Sequence, residues 1–198
     1  MIECYITDRA ALAVGQSLLD AIARNLESGP DWIQIREKDT TARDLYELVS
    51  RAIQLPNPRG VKFLVNGRVD VALAAGAGGV HLPANSPPPR YWREITPPGF
   101  AIGVSCHAIE EVLQAEREGA SYALFGPVFA PLSKSSGLHP RGLVELGRAA
   151  ASVKIPVLAL GGITRENMPA CISAGTAGIA AISLYQGSPA REPVRISP

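Results

Sequence analysis

The stretch PVLALGGITRENMPACISAGTAGIAAIS, residues 156–183, contains the pattern that decides the fold. Its apolar run Pro156–Leu160 predicts a buried strand, Thr164–Ala174 predicts a helix, and Gly178–Ser183 predicts a second strand. Strands that are apolar on nearly every residue are typical of a parallel sheet with both faces covered. The stretch therefore predicts one strand–helix–strand unit of a parallel sheet.

The same unit recurs outward from this stretch along the whole chain. Six earlier strands are predicted, at Ile2–Thr7, Trp32–Arg36, Val61–Asn66, Gly79–Leu82, Phe100–Ser105 and Tyr122–Phe125. The helical patterns between them are Gln16–Leu26, a helix capped by Thr40 or Thr41, Val69–Ala75, a short turn near Trp92, Ile109–Glu118 and Arg141–Ser152. Eight strands with helical crossovers predict a small (β/α)8 TIM barrel.

We expect residues 1–198 to form one α/β domain, in which 185–198 is an irregular tail because it contains three prolines and a glycine. A doubly wound open sheet is the alternative fold, although its usual count is nearer five or six strands. The eightfold count favours the barrel.

The composition limits the classes of partner and compartment. The chain is 46% apolar and carries 19 basic against 18 acidic side chains, so nucleic acid and membrane surfaces are not expected partners. No apolar run approaches the roughly 18 residues of a membrane span, and the first ten residues do not resemble a signal peptide. Three cysteines without a CxxC pair predict buried thiols. We expect a cytoplasmic protein.

Polar residues follow the second predicted strand, at the end where a TIM barrel places its function. Alternation puts Gln34, Arg36 and Lys38 on one side of this segment. Two cations and an amide facing the barrel mouth would suit a phosphate or pyrophosphate. The alternative is an Arg36–Glu37 ion pair on a solvated loop.

Two further polar residues have two interpretations each. Asn66 ends the third strand and either faces the mouth or belongs to an ordinary Asn-Gly turn. Lys134 lies in a serine-rich loop after the sixth strand, which either covers a bound phosphate or is a flexible surface loop. Both residues are candidates for binding an anion.

The loops after strands seven and eight carry the clearest local signal. Gly161 and Gly162 follow the seventh strand, and Ile182 and Ser183 end the eighth. TIM barrels repeatedly bind phosphate with these two loops, because glycines let backbone N–H groups approach the oxygens and a helix start adds a favourable dipole. We predict a phosphate site here.

The catalytic candidates are His107 and Ser105, which alternation places on the same side of the fifth strand. An imidazole there could move protons near neutral pH. His81 is expected to anchor a proline-rich turn and His139 to be solvated. The sequence has no metal-ligand cluster, so no metal is predicted.

The runs IQIREKD (33–39), LVNGRVDVALAAGAGGVHLP (64–83), IGVSCH (102–107), YALFGPVF (122–129) and LALGGIT (158–164) resemble the thiamine-phosphate synthase and thiazole tautomerase family. The resemblance covers nearly the whole chain. It implies a barrel whose mouth binds a thiazole phosphate and, in the synthase, the pyrophosphate of an aminopyrimidine. By position it implies pyrophosphate contacts at Gln34, Arg36, Lys38, Asn66 and Lys134, a serine near the pyrimidine at Ser105, and a thiazole phosphate site at Gly162, Ile182 and Ser183.

Three departures from the family pattern separate the possible activities. Gly67 and Ser86 stand where the synthase has Mg²⁺-binding aspartates, and Pro127 stands where the tautomerase has a histidine. The missing carboxylates favour a metal-free tautomerase that needs no cofactor and binds a phosphorylated thiazole. The alternatives are the Mg²⁺-dependent synthase and a non-catalytic binding homologue. A homo-oligomer is compatible with the sequence.

Overall fold

The computed structural model describes residues 1–130 and 139–186. Eight parallel strands form a closed barrel in which each strand pairs with its neighbours in chain order and the eighth pairs with the first. This arrangement confirms the (β/α)8 TIM barrel and excludes the doubly wound sheet, which would leave two edge strands. The first two residues of the predicted irregular tail 185–198 belong instead to a short helix, Ser183–Gln186. Lys134 and the rest of the tail lie outside the described residues.

The strands lie close to their predicted positions. They are β1 (Ile2–Ile6), β2 (Trp32–Ile35), β3 (Lys62–Asn66), β4 (Gly79–Leu82), β5 (Ala101–Cys106), β6 (Tyr122–Phe125), β7 (Val157–Leu160) and β8 (Gly178–Ala181). The helices are α1 (Leu18–Ser28), α2 (Ala42–Ile53), α3 (Val69–Ala74), α4 (Pro89–Arg93), α5 (Ile109–Arg117), α6 (Gly142–Ala151), α7 (Met168–Ser173) and α8 (Ser183–Gln186). A single 3₁₀ turn, Arg9–Ala11, follows β1 among the described residues.

The helix α2 shows how the sequence defines an element of the outer layer. Thr41 caps it, because the Thr41 Oγ1 accepts a hydrogen bond from Asp44 N at 3.1 Å. Leu45, Val49 and Ala52 are spaced to lie on one face, and all three are buried in the core between helices and strands. The cap and the apolar face together fix the start of the helix and its packing.

The helix α7 begins four residues later than predicted. Thr164 N donates to Asn167 Oδ1 at 2.8 Å, and Asn167 N donates back to Thr164 Oγ1 at 3.3 Å. These two bonds cap a helix start, and Met168 N donates to Thr164 O at 3.0 Å as the first bond of a helix does. Pro169 has no N–H to give the next bond, so the regular helix is only Met168–Ser173, although its cap lies at the predicted Thr164.

The inside of the barrel is filled by side chains from the strands alone. Its apolar layer consists of Cys4, Ile6, Leu64, Ala101, Tyr122, Leu124, Leu158 and Ala180. Gly103 leaves room for the Tyr122 ring, since a Cβ at that position would lie 2.0 Å from the ring atom Cζ. Nearer the C-terminal ends of the strands, the inward positions become polar. This polar layer is the starting point for the site.

Cys4, Cys106 and Cys171 are all buried and free, as predicted from their spacing. Within residues 1–130 and 139–186, none of the helices combines the length and the apolar character that crossing a membrane requires.

Candidate active site at the barrel mouth

Gln34 and Asn66 form one half of the polar layer inside the mouth. Gln34 is 1% exposed, and its Nε2 donates to Asn66 Oδ1 at 3.0 Å. The Gln34 Oε1 is buried and has no partner among the described residues. A buried acceptor left unpaired costs on the order of 1–3 kcal/mol, so this oxygen suits an N–H donor of a ligand. Both residues face the interior, and the left-handed Gly67 makes the turn that follows.

The segment after β2 separates the functions of its three charged residues. Arg36 is half-buried and close enough to His81 for its charge to lower the pKa of that imidazole, whereas Lys38 is exposed in a turn. Glu37 is buried and interacts with Thr7 and Arg9. The alternative of a solvated Arg36–Glu37 pair is therefore wrong, because the strand alternation sends the two side chains to opposite sides.

His81, Ser105 and the hydroxyl group of Tyr122 form the other half of the polar layer, while the Tyr122 ring belongs to the apolar layer. His81 Nε2 lies 2.8 Å from Ser105 Oγ, and His81 Nδ1 lies 3.1 Å from the Tyr122 hydroxyl. Burial, together with the charge of Arg36, lowers the pKa of His81 to about 3, so its ring is neutral. The prediction that His81 anchors the proline-rich turn is wrong, since its side chain lies inside the barrel.

The hydrogens of this chain can be assigned from the available partners. Burial raises the pKa of Tyr122 well above its ordinary value, and its hydroxyl has no other acceptor among the described residues, so we assign it as the donor to His81 Nδ1. The Nε2–H of His81 then donates to Ser105 Oγ. This order leaves the Ser105 hydroxyl hydrogen free to donate to a ligand in the mouth.

His107 lies at the rim rather than in the polar layer. Its Nδ1 donates to the carbonyl oxygen of Gly126 at 2.5 Å, and its backbone N–H donates to Glu111 Oε2 at 2.5 Å. The strand ends at Cys106, so alternation no longer links the direction of His107 to that of Ser105. In the tautomer that donates from Nδ1, Nε2 is the nitrogen that can accept a proton. His139 is exposed, as predicted.

The loop after β7 is fixed in a conformation that only glycine adopts readily. Gly161 and Gly162 have φ of +95° and +64°. A Cβ at Gly162 would lie 2.4 Å from the carbonyl oxygen of Ala130, and the Gly162 carbonyl accepts from Asn167 Nδ2 at 2.9 Å. Because β7 and β8 pair, this loop adjoins Ile182 and Ser183, so the backbone segments predicted to bind phosphate lie side by side.

The side chains at this mouth do not fit a tightly held Mg²⁺. Gly67 and Ser86 offer no carboxylate, and Asn66 Oδ1 already accepts from Gln34. Asp70, the acidic residue nearest to Gly67 in the sequence, accepts hydrogen bonds from Arg68 Nε and Nη2 at 2.9 and 2.5 Å. Across the described part of the chain, no three His, Cys, Asp or Glu residues come together as metal ligands would.

Sequence reasoning missed Thr7, Glu37 and Tyr122 as residues that shape the site. Tyr122 gave no signal, because it reads as one more apolar strand residue. Glu37 did give one, since a charged residue between Arg36 and Lys38 must point away from both by alternation. Thr7 marks the polar end of β1 in the same way.

Fold and polar layer together define a (β/α)8 barrel of the class that binds small ligands at the C-terminal ends of its strands. The family described as thiamine monophosphate synthase matches residues 3–184, and the chain belongs to this family. This finding confirms the resemblance seen in the sequence.

Individual relatives agree with this assignment. The chain is 43% identical over 182 residues to a thiamine-phosphate synthase of Chlorobium luteolum, covering 92% of this chain and 84% of the relative. It is 41% identical to one of Roseiflexus castenholzii, with 93% and 80% covered. The structure of a thiamine phosphate pyrophosphorylase from Pyrococcus furiosus is similar, with a TM-score of 0.82, 37% identity, and 92% and 85% covered.

Proposed function

We propose that this chain acts in thiamine biosynthesis by joining a thiazole phosphate to an aminopyrimidine pyrophosphate. This is the synthase activity that the sequence offers as an alternative to the tautomerase. The observation that carries the proposal is the buried polar layer, in which Gln34 Oε1, unpaired among the described residues, lies in the same mouth as Arg36. An acceptor for an amino group beside a cation for a pyrophosphate suits one ligand that has both. The names of the relatives support the same reaction.

The reaction needs an electrophilic carbon and a leaving group, and no group on the protein has to accept a proton. The thiazole nitrogen attacks the methylene carbon of the pyrimidine while the carbon–oxygen bond to pyrophosphate breaks, and pyrophosphate leaves with the electron pair. Arg36, with Lys38 and Lys134, would stabilise the developing negative charge. The Ser105 hydroxyl would donate to the pyrimidine, and the backbone of Gly161, Gly162, Ile182 and Ser183 would hold the thiazole phosphate.

We assign the neutralising charge to these cations and not to a bound metal, because the residues that the structure describes at the mouth form no carboxylate cage. Calorimetry of the protein with Mg²⁺ alone should therefore give no micromolar site. Such a site would show that the ligands lie elsewhere in the chain.

The tautomerase predicted from the sequence remains a second candidate. One observation favours it: His107 is held through Nδ1, so that its Nε2 can accept a proton at the rim. Pro127 speaks against it, because the residue at the family's histidine position has no acid or base.

One experiment separates these functions. The protein is incubated with the aminopyrimidine pyrophosphate and thiazole phosphate, with and without Mg²⁺, and thiamine phosphate is measured; a parallel sample with thiazole phosphate carboxylate is followed by NMR. We expect thiamine phosphate to form both with and without Mg²⁺. Tautomer interconversion without coupling would replace the proposal with the tautomerase, and binding without either reaction would indicate a non-catalytic homologue.

A further inference from the structure

A buried hydrogen-bond network joins the ends of β1 and β2 beside the mouth. Thr7 is fully buried, and the side chain of Glu37 is 3% exposed. Thr7 Oγ1 donates to Glu37 Oε1 at 2.6 Å and accepts from Arg36 N at 2.9 Å. The network therefore contacts the backbone of Arg36 directly, although it uses none of the atoms that face the mouth.

The Thr7 hydroxyl takes a place that the backbone fills in a regular sheet. Thr7 N donates to Gln34 O at 2.9 Å, as expected of a parallel pair. The next donor in such a pair, Arg36 N, would ordinarily bond to the carbonyl of Thr7, and here it bonds to the Thr7 side chain instead. The hydroxyl thus extends the pairing one residue beyond the end of β2 and fixes the backbone from which the Arg36 side chain leaves.

Glu37 sets the direction of that hydroxyl. Because the Glu37 carboxylate accepts the hydrogen bond from the Thr7 hydroxyl, a lone pair of Thr7 Oγ1 is turned toward Arg36 N. The other carboxylate oxygen, Oε2, accepts from Arg9 N at 3.2 Å and lies 3.6 Å from Arg9 Nη1. Burial raises the pKa of Glu37, while the bonds from Thr7 and Arg9 lower it.

The outer ion pair of Arg9 is a minor part of this arrangement. Arg9 Nη2 lies 2.6 Å from Asp39 Oδ2, but the two side chains are 41% and 75% exposed. Exposed pairs of this kind contribute little. The buried pair Thr7–Glu37 is therefore the part that holds the segment after β2.

We infer that Thr7 and Glu37 are positioning residues of the anion site, which hold the backbone at Arg36 so that its guanidinium meets the pyrophosphate. This inference rests on the proposed function. Neither residue needs to touch the ligand. Their effect passes through Arg36 N, and it can be measured at that atom as well as in ligand affinity.

The test compares Thr7→Val, which keeps the shape and removes the hydroxyl, with Thr7→Ser, which keeps the hydroxyl. Binding of inorganic pyrophosphate is measured by calorimetry, and hydrogen exchange is measured at the Arg36 amide. We expect Thr7→Val to weaken binding by at least about tenfold and to speed this exchange, because a hydrogen bond beside a charged group is lost. Thr7→Ser should keep both near the wild-type values.

A second variant covers the case in which Thr7→Val does not fold. Glu37→Gln keeps the size of the side chain but replaces one acceptor oxygen by an NH₂ donor. If the NH₂ group faces Arg9 N–H, two donors meet; if it faces Thr7, the hydroxyl must turn its hydrogen away and accept, which changes the lone pair offered to Arg36 N. The variant should therefore also weaken pyrophosphate binding and speed exchange at Arg36.

The outcomes separate this inference from the proposed function. Wild-type protein that does not bind pyrophosphate would contradict the proposed anion site, and exchange at Arg36 would still decide the inference. Equal exchange and equal affinity in the wild type, Thr7→Val and Glu37→Gln would overturn it. Weakened binding in Thr7→Ser as large as in Thr7→Val would overturn it too, because the hydroxyl would then not be the cause.

Discussion

At the scale of single residues, the mouth holds hydrogen-bonding groups in fixed directions before any ligand arrives. The Gln34 oxygen is an acceptor without a partner among the described residues, and the Ser105 hydroxyl is oriented by a neutral His81. Groups held in this way do not have to reorganise when a ligand binds. The neutral state of His81 is therefore part of the site, and it can be tested.

His81 should remain unprotonated far below the ordinary imidazole range. Its folded-state pKa of about 3, set first by burial and then by Arg36, lies below the unfolded value near 6.5. The unfolded state then binds more protons between these limits, so this residue's contribution is present above about pH 6.5 and is lost as the pH falls toward 3. NMR of the three imidazoles should show one that does not titrate down to about pH 4.

Denaturant unfolding provides the matching stability measurement. The difference in free energy of unfolding between wild type and His81→Gln should fall by up to about 1.4 kcal/mol per pH unit below pH 6. His139→Gln, which replaces an exposed histidine, is the control substitution. A His81 signal that titrates near pH 6 would contradict the assignment.

Part of this residue-scale picture follows from counting along the strands. Alternation puts Gln34 on one side of β2, and strand position puts Asn66 and Ser105 at the ends of β3 and β5, but only the closed barrel decides that they face the mouth. Alternation and strand position cannot bring His81 to Tyr122, because that contact depends on the relative register of β4, β5 and β6 and on the space that Gly103 leaves. Contacts between distant strands are set by the closed barrel and not by local sequence.

At the scale of elements, the loop after β7 depends on the absence of a side chain at Gly162. Gly162→Ala would bring a Cβ within 2.4 Å of the Ala130 carbonyl oxygen, in addition to the cost of its positive φ. We expect it to weaken binding of thiazole phosphate by about tenfold or more. Gly175→Ala is the control, since Gly175 also has a positive φ but nothing within 4 Å.

Gly175→Ala should cost about 1–2 kcal/mol of stability through its backbone alone and leave the affinity unchanged. Calorimetry with thiazole phosphate and denaturant unfolding measure the two effects separately. Equal affinity in Gly162→Ala and the wild type would remove this loop from the site.

The helix α2 tests whether an element can be weakened without changing the site. Thr41→Ala removes the oxygen that accepts from Asp44 N, so the free energy of unfolding should fall by about 1 kcal/mol. Ligand affinity should not change, because the helix packs on the outside of the barrel. Arg43→Ala, in the same exposed first turn, is the control and should have a smaller effect; an equal loss would show that the cap contributes nothing.

The elements were predictable to the extent that their signals are local. Apolar runs and the Thr41 cap place the strands and α2 within a residue or two. The start of α7 was predictable only in part, because Thr164 and Asn167 do cap the predicted start, whereas the regular helix begins at Met168. Pro169 has no N–H to continue the bonds from the cap, so the first turn stays irregular.

At the scale of the whole molecule, closure of the barrel depends on the contact between its first and last strands. Gly178 pairs with Ile2, and a Cβ there would lie 1.8 Å from the Ile2 carbonyl oxygen. Gly178→Ala should therefore lower the free energy of unfolding by about 3 kcal/mol, the upper end for overpacking. Hydrogen exchange should increase first in β1 and β8.

Gly175→Ala, three residues earlier, serves again as the control, because its Cβ would enter open space. Exchange in β1 and β8 should then increase no more than exchange in the other strands. A uniform increase across all eight strands in Gly178→Ala would contradict a local effect on closure.

The apolar layer below the polar one has a consequence for traffic through the molecule. The inside of the barrel is closed at this layer, where Leu64, Tyr122, Leu158 and their neighbours pack together, so the barrel axis is not an open channel. A ligand that enters through the mouth must also leave through it. If two substrates react in the mouth, the one bound nearer the opening blocks the exit of the other. The product derived from the outer substrate must then leave first. The apolar layer that forms the core of the barrel thus also sets the order in which products are released.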